Sequence, residues 1–160
     1  MLSDPTIVIK INILIIKVFH SLEDLIKFYK IFIDNVFFKS KNILSETIII
    51  KLIKKAEKLS SENGKALLNG INYNEEQLEI LNVLNNFKQN KTIYTAETIT
   101  TEINSILHLL YKTLSMIAGK NESSKILKDA LEESISNNSE IWNNIQLSTN
   151  IEDLLPEFVK

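Results

Sequence analysis

Apolar residues recur at threes and fours along almost the whole chain, and polar capping residues cut that pattern into helices. Asp4-Pro5 is a helix opening, since Asp can hold free N–H groups and proline at the first helical position loses nothing by lacking its own. Apolar residues then fall at 7, 11, 14, 15 and 18. The same stretch also alternates, with Ile7, Ile9, Ile11, Ile13 and Ile15, so a strand competes there. The helical reading is preferred because the next segment continues it.

Ser21 and Asp24 can cap a second helix, Leu22–Phe38, with Leu22, Leu25, Ile26, Tyr29, Ile33 and Val36 as its core stripe. One kinked helix from Pro5 to Phe38 is the alternative. Phe28, Ile31, Phe37 and Phe38 lie outside that stripe, and this surplus of apolar surface points to self-association. Ser45-Glu46 opens a third helix that ends near Glu62, before Asn63-Gly64. Asn69-Gly70 marks a further turn, and Lys65–Leu68 between the two reads as a short helical turn.

Asn74 and Gln77 form a capping box with Tyr73 and Leu78 as its hydrophobic staple, which predicts a helix over Glu75–Lys88. A Thr-rich lead-in, Thr92–Thr101, feeds a long helix with a seam of Ile99, Ile103, Ile106, Leu107, Leu110, Leu114 and Ile117, stopped at Gly119. Asn121-Glu122 caps a helix to about Ser136, and Ser139 starts a short one through Trp142–Ile145. The fold class expected is therefore all-α: a single domain over 1–160, a bundle of about six to seven helices.

An internal match adds to this picture. Lys51–Ile71 (KLIKKAEKLSSENGKALLNGI) faces Lys125–Ile145 (KILKDALEESISNNSEIWNNI), with Lys51, Lys54, Ala56, Ser60, Asn63, Asn69 and Ile71 opposite identical residues. The pairing describes two helix-connector-helix units, about 22–71 and 103–145, with Ala56 and Ala130 at equivalent close-packed positions. Chance is the competing account, because a chain rich in Ile, Lys and Asn matches itself readily.

Composition narrows the chemistry. The 160 residues contain no cysteine, which removes disulfides and thiolate ligands and favours a reducing, cytoplasmic setting. All 18 basic residues are lysine, a bias expected of an AT-rich genome. Without arginine's planar fork, and with a net charge of −2, sequence-specific nucleic-acid binding is not expected. The strongest membrane candidate, Thr6–Phe19, is broken by Lys10, Asn12 and Lys17 and is too short to span. It also has neither the basic start nor the cleavage site of a signal peptide. A lysine-bearing apolar helix can still lie on a membrane surface.

Catalytic signatures are missing. Gly64, Gly70 and Gly119 are scattered, so no phosphate-cradling loop forms, and no serine sits in a nucleophile elbow. His20 and His108 stand apart with no grouped ligands, so no metal site is expected. His108, beside the long seam, is the one weak cofactor candidate, as a haem ligand. Lys51, Lys54, Lys55 and Lys58 share a face that reads as solvated. Trp142 fits core packing or a partner anchor. The tail over 146–160, with Leu154, Leu155 and Phe158 among acids, fits docking on its own bundle or insertion in a partner's groove.

Leu109–Glu133 (LLYKTLSMIAGKNESSKILKDALEE) resembles helix-Gly-helix regulatory modules of archaeal and bacterial signalling proteins, across about 25 residues of the second unit. The resemblance implies a regulatory helical module and carries over no functional residue. Viral Bcl-2-like bundles fit in size and composition, but their signature needs an arginine that this chain lacks. The function expected is a non-enzymatic adaptor or signalling module with a protein partner or a second copy, contacted through Trp142, Leu154, Leu155, Phe158, Phe37 and Phe38. The alternative is a sensor that encloses a small apolar molecule or haem, and no cofactor is otherwise expected.

Overall fold

A computed structural model describes residues 4–160, apart from the side chains at 15, 16, 18 and 19. Its order is α1 (Pro5–Ser40), α2 (Glu46–Glu62), β1 (Asn72–Asn74), β2 (Gln77–Glu79), α3 (Leu81–Gln89), α4 (Ala96–Ala118), α5 (Lys120–Asn137), α6 (Ser139–Ser148) and α7 (Ile151–Leu154). Short 3-10 turns lie at Lys91–Ile93 and Glu157–Val159. The architecture is all-α with one small hairpin added.

The first two predicted helices are one. α1 runs uninterrupted for 36 residues, a length of about 54 Å, with Asp4 as its cap and Ser21 inside it. The strand alternative for Ile7–Ile15 is excluded, while the apolar positions 15 and 18 lie outside the described side chains. The C-terminal half of α1 is the axis of the bundle. α4, α5 and α6 pack around it, and Leu25, Phe28, Phe32, Ile33 and Val36 are fully buried. Burial on several sides accounts for two members of the apolar surplus noted in the sequence, since Phe28 meets the Trp142 ring at 5.0 Å and Phe37 meets Tyr73 at 5.2 Å, while Ile31 is half-buried and Phe38 stays exposed.

The segment with the clearest helix punctuation is the one that departs from expectation. Glu75–Gln77 does not open a helix: β1 and β2 pair antiparallel, Tyr73 stands opposite Leu78, and α3 begins only at Leu81. The two residues expected to staple a helix start form a cross-strand pair instead, since both patterns put the same two side chains on one face. A distant contact decides between them. The Leu78 N–H donates to Asp34 Oδ1 on α1 at 2.8 Å, which holds β2 against the bundle. Glu75 and Glu76 accept the left-handed conformation in return, at φ +51° and +63°.

Other boundaries follow local chemistry. Thr95 and Thr98 form a reciprocal capping box, so α4 starts at Ala96 inside the Thr-rich lead-in. Gly119, at φ +88°, ends α4 and directly precedes α5, which therefore starts before the predicted Asn121 cap. Its carbonyl accepts from both the Ser123 N–H and the Ser123 hydroxyl. The segment between Asn63 and Ile71 is a run of turns, stitched by Ser60 Oγ accepting from the Leu68 N–H and by the Glu57 carboxylate accepting from the Gly70 N–H. Gly70 is required twice over, by its φ of +81° and by Asn82, which a Cβ would meet at 2.8 Å.

Some paired positions of the internal match are alike in burial, and others, such as Leu67 (buried) and Ile141 (half-buried), are not. Ile53 and Leu127, Ala56 and Ala130, Ser60 and Ser134, Leu68 and Trp142, and Ile71 and Ile145 all face inward, whereas Lys54, Lys128, Asn69 and Asn143 face outward. Their backbones differ, because Gly64–Ile71 is a run of turns and Asn138–Ile145 enters the helix α6. Lys51, Lys54, Lys55 and Lys58 are exposed together on α2.

Candidate interaction surface

The N-terminal part of α1 leaves the bundle. Ile7, Val8, Ile9, Ile11, Ile13 and Leu14 are 40–62 % exposed, although a helix apolar on all sides is normally buried. At about 100° per residue these six positions spread round the whole helix, so the exposure is not one face. Asp4 accepts from the Thr6 N–H at 2.9 Å and Pro5 holds the first turn, which gives the arm a defined helical start. Its charges after Asp4 are Lys10 and Lys17, both exposed, and the next acid along the chain is Glu23.

Beside the base of the arm a groove of about 650 Å³ is lined by Leu14, Lys17, His20, Ser21, Asp24, Asn144, Leu147 and Ser148. Leu147 is 87 % exposed there, so the apolar surface passes from α1 to α6. Partial burial raises the Asp24 pKa, Lys27 and His20 oppose the rise, and Glu23 and Glu140 add to it.

The partner residues expected from sequence divide. Trp142, Leu155 and Phe37 are buried in the chain's own core and are not available as anchors. The tail docks: Asn104 Nδ2 donates to the Leu154 carbonyl at 3.0 Å, and Ile151, Leu155 and Val159 are buried. Leu154 and Phe158 are half-buried, with Phe158 stacked on Tyr111 at 4.4 Å. Phe38 is the exposed member of the set, at 67 %, with Lys41 Nζ 5.0 Å from its ring centre. It borders a groove of about 190 Å³ with Phe37, Leu44, Ile49 and Tyr73 at its floor and Lys41, Glu46 and Glu76 around it.

His108 is exposed on α4, not partly buried, and its ring meets Phe158 edge-on at 5.1 Å. A void between Ile26, Tyr29, Ile33, Leu68, Val83 and Ile103 has room for only about 10 Å³, roughly one water, and encloses no small apolar molecule. Among the described residues no group of three or more His, Asp or Glu can hold a metal, and no helix is long and apolar enough to cross a membrane.

The arm was legible as a helix from the spacing of Ile7, Ile11 and Leu14, and its exposure was not, because periodicity reports a helix and leaves open what lies beside it. No family model matches the chain, and neither a curated protein nor a solved structure is significantly similar to it.

Proposed function

We propose that this chain is a non-enzymatic helical interaction module, of the adaptor or regulatory kind, whose docking element is the arm of α1. The exposed Ile7–Leu14 stretch carries this reading. Fully burying one such side chain is worth about 1.5–3 kcal/mol, so a partner face that covers about half of the six, each about half exposed, gains on the order of 3 kcal/mol. The bundle behind the arm is closely packed around Phe28, Phe32 and Trp142, which supplies a rigid base.

The experiment compares proteins retained by the tagged full chain and by an Ile9→Lys/Ile13→Lys variant, together with the size of each complex. A protein partner or second copy held by the first and lost by the second supports the reading. Identical behaviour of the two overturns it.

A further inference from the structure

We infer that the groove between the C-terminal end of α1, the start of α2 and the hairpin binds a primary alkylammonium group, its alkyl stem on the aromatic floor and its charge at the Glu46 and Glu76 rim. This site lies at the end of α1 opposite the arm and does not depend on the arm's role. The groove's volume of about 190 Å³ is that of about six waters, which suits an alkylamine of about six heavy atoms. Phe37, Leu44 and Ile49 are buried beneath it and the exposed Phe38 ring forms one wall.

One polar group on the floor lacks a partner. Tyr73 is 9 % exposed and its ring is held edge-on against Phe37, yet its hydroxyl makes no hydrogen bond among the described residues. Burial raises the Tyr73 pKa, and the charges of Glu76, Glu46 and Asp34 raise it further. The phenol end of the ring therefore faces the rim carboxylates, and its oxygen is open to what enters the groove.

Charge selects the ligand. Neither Glu46 nor Glu76 has an ion pair among the described residues, and Lys41 lies 5.0 Å from the Phe38 ring centre without pairing to either carboxylate. Two carboxylates against one ammonium leave the lining with an excess negative charge. The start of α2 would otherwise draw an anion, but Ser45 Oγ already accepts from the Ile48 N–H and Glu46 supplies the first-turn charge. Glu76 has no such helix to serve, since it stands on the hairpin turn. A primary ammonium carries three donors and no acceptor, which matches the phenol oxygen and the rim carboxylates; a quaternary one would leave the phenol unpaired. The contact of Lys41 with Phe38 shows an aromatic ring of this groove already taking an ammonium on its face. The same group ends a free alkylamine and a lysine side chain.

Amide spectra of the isotope-labelled full chain, titrated with pentylammonium, pentanol and pentanoate, test the site. The amine is expected to give saturable shifts over 44–49 and 73–78, to bind about fivefold more tightly than the alcohol, and to weaken with added salt. Pentanoate is expected to leave these amides unmoved. Glu46→Gln/Glu76→Gln removes the preference for the amine, and glutamine tolerates the left-handed backbone at 76 no worse than glutamate, so the hairpin is kept. Tyr73→Phe keeps the ring on Phe37 and weakens the amine about fivefold. Shifts that stay linear in amine, equal binding of amine and alcohol, a preference for pentanoate, or unchanged amine binding in both variants would each overturn the site. An acetylated and amidated Gly-Lys-Gly peptide that moves the same amides shows that a protein's lysine is the source; a peptide that leaves them unmoved, with the amine bound, shows a free amine. The Ile9→Lys/Ile13→Lys variant is expected to bind pentylammonium as the wild type does, so failure of this site and failure of the arm are read separately.

Discussion

Replacing Glu75 by Asn and Glu76 by Gly separates the hairpin from the helix that the sequence suggests, because the two structures give the change opposite signs. Both glutamates have left-handed backbones, φ +51° and +63°, where an ordinary L-residue is disfavoured by about 1–2 kcal/mol. Asn-Gly is the preferred pair for a two-residue turn of that kind. Glycine's greater freedom in the unfolded chain gives back about 0.5–1 kcal/mol. The net expectation is a gain of about 1 kcal/mol, or about 2–4 °C in Tm for a chain of this size. Were Glu75 and Glu76 the first turns of a helix, the same pair would lose about 1.5 kcal/mol through poorer helix propensity. Urea unfolding followed by far-ultraviolet circular dichroism, with the slope against urea unchanged, measures the difference. A loss of 1 kcal/mol or more, on the scale of one helical glycine, would refute the hairpin.

Phe28→Ala is expected to cost about 3–5 kcal/mol, since its ring is fully buried against Trp142; a surface anchor would cost within about 0.5 kcal/mol. A double-mutant cycle between Phe28 and Trp142 is expected to return a coupling of about 0.5–1.5 kcal/mol in the same unfolding assay. Burial pushes the Tyr29 phenol far above the ordinary tyrosine value of 10.0, while the Thr100 and Asn104 side chains lower it in part. The unfolded chain therefore releases this proton first. Its stabilising contribution is whole below pH 10.0 and is lost as pH rises toward the folded pKa, at up to about 1.4 kcal/mol per pH unit. Tyr29→Phe is expected to flatten the alkaline fall in stability, and equal slopes for the two proteins would contradict it.

The hairpin and the arm show why only part of the fold could be read from residues. Capping and periodicity act within a few positions, so Asp4-Pro5, Ser45-Glu46 and Gly119 marked real helix ends. Tyr73 and Leu78 satisfy a helix staple and a cross-strand pair equally well, and the choice rests on Asp34, 44 positions away from Leu78. Trp142 and Phe37 are large apolar residues wherever they lie, and burial against Phe28 and Tyr73 makes them core. His108 drew notice through its neighbours in the chain, yet the helix turns it outward.

By itself the sequence determined that this protein is helical, because apolar spacing and caps are local properties of the chain. It also determined that cysteine and arginine chemistry is absent from all 160 residues. Tertiary structure decided which apolar residues are spent on the core and which stay exposed. Burial is a relation between segments: Ile26, Tyr29 and Ile33 on α1 are covered by α3, α4 and the hairpin, whereas Val8 and Asn12 on the same helix are exposed. One continuous helix therefore serves as core at one end and as surface at the other.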